Sequence, residues 1–423
     1  MLLIKNGRVI DPLSHLDQVM DLLIDEGKII EMGHIEKDCE TIDAKDMIVA
    51  PGLIDNHVHF RDPGLTYKED IYTGSNAAKA GGFTTVVTMA NTKPSVDCVE
   101  VLDELMKREK ELDIHVLNTA NVTLKMQGKE LVDMEALKAH GAVGFTDDGI
   151  PIADINVMME AMRCAKALDC PISLHEEDPA LIGSAGINAG EIARQVGVKG
   201  ASGLAEEVIT ARDCLLAKET GCRIDIQHIS SGGTVDIVRF MKSQGADVWS
   251  EVTPQHFGYT EDLVLSQGAL AKVNPPLRKE GDRLKIIEGL KDGTIDMIVT
   301  DHAPHSKEEK DKGILGGAPS GMIGLELSLA MGITHLVEKG HLSYMELLEK
   351  MTINPAEYYK LDAGYIAKDH IADIVIFDPK KQWVVTLDDF KGKSKNSPFV
   401  GEHLTGQVAY TICNGKIVYK KGS

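Results

Sequence analysis

Histidines and aspartates stand directly after several short apolar runs of this sequence. They are His57, His59, the neighbours Asp147 and Asp148, His175, His228 and Asp301. On an extended strand, His57 and His59 point to the same side because side chains alternate with a period of two. Imidazole and carboxylate together suit Zn²⁺ or a similar divalent ion. Four histidines, Asp301 and one of the two neighbouring aspartates make six possible ligands. Six ligands indicate two ions, about 3.5 to 4 Å apart, that share a carboxylate and a hydroxide.

Each of these residues has an ordinary structural interpretation when it is taken alone. A His-x-His pair is common, a single buried histidine is usually hydrogen-bonded in a core, and a single aspartate often caps a helix. Their joint position at the ends of predicted strands favours the metal site. Buried imidazoles and carboxylates are costly unless they are paired with one another or with a metal.

The elements that position these residues form a regular alternation. From about residue 46, short β-branched runs alternate with helical patterns, which is typical of repeated βα units. One strand leads into His57, and seven more are predicted at 83–89, 114–118, 142–146, 171–175, 223–228, 247–252 and 296–301. Amphipathic helices are predicted at 99–111, 156–168, 204–220 and 283–291. Eight such strands predict a (β/α)8 TIM barrel with its active site at the carboxyl ends of the strands.

The two ends of the chain have a different pattern. Short alternating strands there are separated by Asn-Gly and Asp-Pro turns. We therefore expect an α/β protein in which the termini form one small flanking β-sandwich domain. The predicted organisation is 1–50 for its N-terminal part, 51–363 for the metal-dependent barrel and 364–423 for its C-terminal part.

Composition narrows the class of protein. A formal net charge of −20 argues against binding to nucleic acid or to an anionic membrane, since both need basic patches. The chain shows neither a signal peptide nor an apolar run of about 18 residues, so we expect a cytoplasmic location. Its seven cysteines include no C-x-x-C pair, which indicates neither a disulfide framework nor a thiolate zinc site.

Two segments carry a family resemblance. HVHFRDPG at 57–64 and DHAPH at 301–305 resemble the signature segments of class I dihydroorotases, in the amidohydrolase superfamily. IKNG at 4–7, APGLID at 50–55, NPA at 354–356 and ADIV at 372–375 are also similar, so the resemblance covers essentially the whole chain.

The resemblance implies a particular division of the metal ligands. His57, His59 and Asp301 would hold one Zn²⁺, His175 and His228 would hold the other, and Asp148 would bridge them. Many superfamily members bridge the metals with a carbamylated lysine, whereas FTDD at 145–148 offers none and matches the type that uses an aspartate. Asp148 is preferred because it precedes Gly149, but spacing alone leaves Asp147 open.

A substrate-binding set is also implied. Arg61 can grip a carboxylate with two parallel hydrogen bonds, which would capture an anionic substrate against the overall negative charge. The implied set is His59, Arg61, Asn91, Asn274, His305, Ser320 and Gly321. Ser320 departs from the family, which often has phenylalanine there, and Gln255-His256 stands where the family has two histidines. We hypothesise that the loop 306–317 closes over bound substrate.

The implied activity is the reversible, zinc-dependent cyclisation of N-carbamoyl-L-aspartate to L-dihydroorotate in pyrimidine biosynthesis. A metal-bridging hydroxide would attack the ring carbonyl, with Asp301 as general base and then acid. The family suggests a homodimer and aspartate transcarbamoylase as a possible partner. Allantoinase and hydantoinase are the nearest rivals, but Arg61 and the missing lysine argue against them. A non-catalytic scaffold is the other alternative, although such relatives usually lose metal ligands.

Overall fold

A computed structural model describes residues 1–422 and consists of a parallel barrel and a separate, mostly antiparallel sheet. The N-terminal strands come first and belong to the separate sheet: β1 (Leu2–Asp11), β2 (Leu16–Asp25), β3 (Lys28–Gly33), β4 (Glu40–Asp43) and β5 (Ile48–Pro51). The barrel strands follow: β6 (Leu53–Val58), β7 (Phe83–Thr88), β8 (His115–Ala120), β9 (Gly144–Phe145), β10 (Ile172–Leu174), β11 (Ile224–Ile226), β12 (Val248–Val252) and β13 (Met297–Ile298). The chain ends in β14 (Ile374–Val384), β15 (His403–Cys413) and β16 (Lys416–Lys420).

The helices lie mainly between the barrel strands and after the last of them. They are α1 (Ile71–Gly81), α2 (Val99–Glu109), α3 (Met134–Ala139), α4 (Ile155–Ala167), α5 (Glu191–Gln195), α6 (Gly203–Thr220), α7 (Gly232–Ser243), α8 (Pro254–Gly258), α9 (Leu263–Gln267), α10 (Glu280–Asp292), α11 (Lys307–Lys310), α12 (Ser328–Gly332), α13 (Tyr344–Glu349) and α14 (Ile353–Tyr359). The four helices predicted from apolar spacing correspond to α2, α4, α6 and α10. In residues 1–422, no helix has the length and apolar character needed to cross a membrane.

The eight barrel strands pair in chain order, which confirms the predicted barrel. An isolated bridge between Val58 at the end of β6 and His302, four residues after β13, closes the barrel. The fully buried carboxylate of Asp55 strengthens this closure by accepting the Thr300 backbone N–H at 3.1 and 3.2 Å. The last strand is shorter than predicted. The chain leaves the ladder after Ile298, and Asp301 already has a left-handed backbone with φ of 47°.

The termini form the flanking sheet, as predicted. Strand order is β16-β15-β14-β5-β1-β2-β3, with β4 beside β1, so the pairing of β5 with β14 joins the two ends of the chain. Inward-facing side chains such as Ile4, Leu22, Ile374 and Ile412 give this sheet a core of its own. It therefore buries apolar surface independently of the barrel interior.

A polar contact connects the two units at the amino end of the barrel strands. His115 begins β8, and its Nε2 lies 2.9 Å from the Asp373 carboxylate, whose other oxygen accepts the Asn414 backbone N–H at 2.7 Å. The hydrogen bond to Asp373 raises the pKa of His115 above its ordinary value. The charged pair therefore stabilises the folded state when His115 is protonated.

We predict a pH-dependent loss of stability when His115 is replaced by glutamine. Because the folded-state pKa of His115 is raised, its contribution is complete below the ordinary pKa of about 6.5 and is lost as pH rises through the folded value. The side chain is 35% exposed, so the effect stays within about 1 kcal/mol. Thermal unfolding of both proteins at pH 6 and pH 9 measures it. A difference in Tm that is the same at both pH values would contradict the prediction.

Candidate metal centre and substrate pocket

The ends of five barrel strands bring the predicted ligands to one rim. His57 is the penultimate residue of β6, and His59 directly follows that strand. His175 directly follows β10. His228 and Asp301 each have a left-handed backbone, with φ of 33° and 47°. Such a conformation is strained for residues other than glycine and clusters at functional sites. Here it turns the chain sharply at the points where β11 and β13 have ended.

These residues open onto a cavity of about 200 Å³. Every predicted ligand except His57 lines it, and His57 lies fully buried at its base. The sequence-predicted residues on its wall are His59, Arg61, Asn91, Asp148, His175, His228, Asn274, Asp301, His305, Ser320 and Gly321. The fold thus brings the predicted ligands and the predicted substrate-binding residues into a single site.

The imidazole and carboxylate atoms form two overlapping groups with metal-ligand spacing. One consists of His57, His59 and Asp301, and the other of His57, Asp148 and His228. In the first, the Asp301 carboxylate lies 3.0 Å from His59 Nε2 and 3.5 Å from His57 Nε2. In the second, Asp148 lies 3.6 Å from His57 Nε2.

His175 completes the second group from β10. Its Nδ1 lies 3.0 Å from His228 Nε2 and 3.7 Å from the Asp148 carboxylate. Asp148 also lies 3.5 Å from His59 Nε2, so this one carboxylate faces imidazoles of both groups. That position suits a bridging ligand.

Asp147 makes its hydrogen bonds outside the histidine–aspartate cluster. One of its oxygens accepts the backbone N–H groups of Val122 and Thr123 at 2.9 and 3.2 Å, and the other accepts the Thr123 hydroxyl. Of the two neighbouring aspartates, only Asp148 faces the imidazoles. The geometry therefore favours Asp148 as the bridge.

Outer partners fix the ring orientation of three imidazoles. His57 Nδ1 lies 2.5 Å from Glu251, His59 Nδ1 lies 3.0 Å from the Asn91 side-chain oxygen, and His175 Nε2 lies 3.0 Å from Glu177. In each ring the second nitrogen points into the cluster. Metal-bound histidines usually have this arrangement, in which the outer acceptor selects the tautomer and raises the basicity of the ligand.

The electrostatics favour ionised carboxylates in the cluster. Burial alone would raise the pKa values of Asp148 and Asp301, but the neighbouring imidazoles outweigh it and lower both pKa values below the ordinary range. Burial and the adjacent imidazoles lower the pKa of His228 well below its usual value, so this ring is neutral. Burial alone would lower the pKa values of His57 and His175, but Glu251 and Glu177 outweigh it and raise both. A metal binds the ionised carboxylate and the unprotonated imidazole, so its charge would take the place of the protons on these two rings.

Unpartnered buried atoms support the fit of a cation. Within residues 1–422, His57 Nε2 and His228 Nδ1 are buried without a hydrogen-bond partner. Leaving such an atom unsatisfied costs roughly 1–3 kcal/mol, which a metal ligand bond would offset at His57 Nε2. A third group of possible ligands, His115, Asp373 and Cys413, differs in this respect. His115 and Asp373 already satisfy each other, and burial raises the pKa of the Cys413 thiol, so that group needs no metal.

Arg61 and His305, two of the residues predicted to bind substrate, lie on the cavity wall. Arg61 has a left-handed backbone, and its Nε donates to the Pro304 carbonyl at 3.2 Å. Burial, together with the charges of Arg61 and nearby lysines, lowers the pKa of His305 to about 2. His305 is thus neutral, and its Nε2 donates to the Ser320 carbonyl at 2.8 Å.

Two further positions show why their residue types are needed. The buried side-chain oxygen of Asn274 has no hydrogen-bond partner within residues 1–422, and Asn274 lines the cavity. Gly321 has φ of +126°, and a Cβ there would lie 2.7 Å from Ala303 and 3.0 Å from His305 Nε2. Only glycine fits this backbone beside the pocket.

Sequence reasoning missed the outer partners Glu177 and Glu251. Glu251 stands in the predicted strand 247–252, where an acidic residue in a buried run could have been noticed as a polar group that needs a partner. Glu177 follows His175 by two residues and gives no comparable signal. His256 has no role in the cluster, because its Nδ1 and Nε2 are bonded to Thr253 and to the Pro275 carbonyl.

We predict that Glu177→Gln weakens metal binding about tenfold, because the outer charge that makes His175 a better ligand is lost. Chelator competition with a metal-sensitive dye measures the affinity. Glu109→Gln is the matched control, since Glu109 is also buried but bonds Asn118 away from the cluster. Equal affinities for the two variants would show that the Glu177 contact does not tune the site.

Comparisons with known proteins agree with this site. Residues 46–233 match a family model described as dihydro-orotase-like. Over 422 residues the chain is 58% identical to the dihydroorotase of Clostridioides difficile, covering 99% of this chain and 100% of the relative. It is 52% identical over 422 residues to the dihydroorotase of Lactococcus lactis subsp. lactis, covering 99% of each.

Solved structures place the fold in the same group of enzymes. The L-hydantoinase (dihydropyrimidinase) from Arthrobacter aurescens superposes with a TM-score of 0.90 at 28% identity, covering 100% of this chain and 96% of that one. Dihydropyrimidinase from Brevibacillus agri gives a TM-score of 0.85 at 22% identity, covering 99% and 95%, and supports the fold alone. With more than half of its residues identical to full-length relatives, and with a histidine–aspartate cluster at the barrel rim, this chain belongs to the dihydroorotase family of cyclic amide hydrolases.

Proposed function

We propose that this chain catalyses the reversible cyclisation of N-carbamoyl-L-aspartate to L-dihydroorotate, a step of pyrimidine biosynthesis. The observation that carries the proposal is the position of Arg61 on the wall of the cavity that holds both ligand groups. A carboxylate-binding guanidinium beside a hydrolytic centre fits a cyclic amide that bears a carboxylate. Full-length identity to dihydroorotases supports the same substrate.

We propose Zn²⁺ as the metal and two ions per chain. His57, His59 and Asp301 would hold one ion, His175 and His228 would hold the other, and Asp148 would contact both. All six side chains offer nitrogen or oxygen donors, and imidazole-rich sets of this kind suit zinc. When bound, the metal supplies an activated water and polarises the amide carbonyl.

Asp301 acts as the proton carrier in this proposal. Its carboxylate is ionised and lies at the rim, so it can accept a proton from water as the water oxygen bonds to the ring carbonyl carbon. When the C–N bond breaks, the same carboxyl group delivers that proton to the departing nitrogen. Water is consumed in ring opening and released in ring closure, and the same groups serve both directions.

In this proposal, the anionic substrate is held by further residues of the same cavity. Arg61 provides the positive charge, which the overall charge of −20 makes necessary. His59, Asn91, Asn274 and His305 provide hydrogen-bonding groups, and the backbone at Ser320 and Gly321 completes the wall. Because binding of the carboxylate fixes the ring, the scissile bond is presented to Asp301 in one orientation.

Hydantoin hydrolysis is the rival activity on this scaffold, since the structural neighbours include hydantoinases. Simple hydantoins and allantoin lack the carboxylate that Arg61 would bind. At the bridging position this chain has Asp148 and no lysine. Both features favour dihydroorotate over those substrates.

The remaining expectations concern assembly and location. A homodimer, association with an aspartate transcarbamoylase and a cytoplasmic location all stay predictions, as do domain boundaries after residues 50 and 363. Sedimentation of the purified protein with and without a transcarbamoylase would measure the first two.

The primary test follows the ultraviolet absorbance of L-dihydroorotate with zinc-loaded protein. We expect turnover of dihydroorotate but not of allantoin or hydantoin. Asp301→Ala should lower the rate about a thousandfold because the proton carrier is lost. Turnover of hydantoin in preference to dihydroorotate would support the rival activity. No turnover of any of the three, with zinc bound, would argue for a partner-dependent enzyme or a scaffold.

A second test concerns Arg61. We predict that Arg61→Gln raises KM for dihydroorotate by about tenfold to hundredfold, since a charge-assisted contact to the substrate is removed. Arg61→Lys should have a smaller effect because it keeps the charge but not the paired geometry. Arg239→Gln on α7 serves as the control, as its partners are surface carboxylates. An unchanged KM in Arg61→Gln would remove Arg61 from the substrate site.

A further inference from the structure

A short segment from the C-terminal part of the chain lies against the substrate-binding loops. Residues 391–397, between β14 and β15, cross the mouth region of the barrel without helix or strand structure. We call this segment the strap. Three of its side chains, Ser394, Asn396 and Ser397, are buried, although the strap is polar and lysine-rich. Buried polar side chains in a loop indicate specific hydrogen bonds.

Asn396 makes three side-chain hydrogen bonds, and all of them reach substrate-binding loops. Its Oδ1 accepts the His305 backbone N–H at 3.0 Å. Its Nδ2 donates to the carbonyls of Ala303 and Gly321 at 3.1 and 3.2 Å. One amide group therefore fixes the distance between the loop that carries His305 and the loop that carries Gly321.

The same contacts reach Arg61 indirectly. Asn396 holds residues 303 and 305, and the carbonyl of the residue between them, Pro304, accepts the Arg61 Nε–H at 3.2 Å. Arg61 has a left-handed backbone, so its own chain conformation is strained and needs external support. The guanidinium is thus held by a loop that the strap holds.

A second anchor ties the strap to the segment after Arg61. The Lys393 backbone N–H donates to the fully buried carboxylate of Glu69 at 3.0 and 3.1 Å. Ser394 donates its hydroxyl hydrogen to the Lys68 carbonyl at 2.7 Å. A Cβ at Gly392 would lie 2.5 Å from the Glu69 carboxylate, so a larger residue there would displace that carboxylate.

In the part of the chain that the structure describes, the strap's hydrogen bonds do not reach the metal cluster. Among residues 1–422, none of its hydrogen bonds goes to the six predicted metal ligands. The side chain of Asn396 contacts the loops of His305 and Gly321, and Lys393 and Ser394 contact the segment after Arg61. The backbone N–H groups of Lys391 and Gly392 donate to Glu326. A change in the strap should therefore move the substrate groups while leaving the metal ligands in place.

We propose that the strap is a positioning element for substrate binding and that Asn396 is its central residue. This inference rests on the proposed function, because it takes Arg61, His305 and Gly321 as the groups that hold the substrate. Asn396 itself lies behind these groups and acts through them.

The test compares Asn396→Ala and Asn396→Asp with wild type. Alanine removes all three hydrogen bonds, whereas aspartate keeps the acceptor for His305 but places an oxygen against two carbonyls. We expect both variants to raise KM for dihydroorotate about tenfold, with a smaller fall in kcat and an unchanged metal content. Asn354→Ala is the matched control, since Asn354 also donates to a backbone carbonyl, that of Asp296, at the far end of the barrel.

A milder variant keeps the test decisive if Asn396→Ala folds poorly. Ser394→Ala removes only the bond to the Lys68 carbonyl and should raise KM in the same direction, by about threefold. Thermal unfolding of every variant separates loss of stability from loss of binding. An unchanged KM in Asn396→Ala and Ser394→Ala, or loss of metal from these variants, would overturn the proposal.

Arg61→Gln and His305→Ala, measured in parallel, separate this inference from the proposed function. If those two variants leave KM unchanged, the assumed substrate groups are wrong. If they raise KM while Asn396→Ala behaves like Asn354→Ala, the substrate groups stand and the strap has no positioning role.

Discussion

Burial of opposite charges at one rim of the barrel is the constraint on which this structure depends. Four imidazoles and two carboxylates meet there, and all six side chains are almost completely removed from solvent. Charged groups in such a setting are stable only when each has a counterpart. The cluster therefore fixes the protonation states of its members and needs rigid outer partners. Glu251, Asn91 and Glu177 meet that need by holding three of the rings in place.

The same constraint explains the backbone of the rim. His228 and Asp301 have left-handed conformations that cost free energy, and each of these residues is a predicted metal ligand just beyond the end of its strand. The barrel compensates through its apolar interior, in which Phe145 and Val252 are fully buried. The strands thus supply stability that offsets the strain at these two positions.

Sequence reasoning predicted the barrel, the flanking sheet and the rim at which the predicted ligands meet, because each depends on a local pattern. Alternating βα periodicity specifies the strands, and parallel strands bring their carboxyl ends together. Residues such as His175 could therefore be assigned to the barrel rim from the sequence alone. The choice between Asp147 and Asp148 could not be made, because it depends on which aspartate meets the backbone N–H groups of Val122 and Thr123.

Other features were beyond sequence reasoning for a similar reason. The short extent of β13 follows from the turn at Asp301, and no periodicity marks that turn. Asn396 contacts His305 across 91 residues of sequence from a loop that gives no local signal. Side chains that act through backbone groups of distant loops leave no pattern in the chain itself. Only the folded arrangement shows them.

The order of the elements along the chain affects how the protein can fold during translation. A chain leaves the ribosome N-terminus first, and all eight barrel strands precede residue 299. The strands β1 to β5 emerge before any of them and pair with one another, but β5 gains its second neighbour only when β14 has been made. The loops at the mouth of the barrel receive the hydrogen bonds of Asn396 later still, after β14 has been made. During translation, the predicted ligands can therefore come together on a nascent chain whose predicted substrate pocket is still unfinished, because Asn396 is added almost a hundred residues after Asp301.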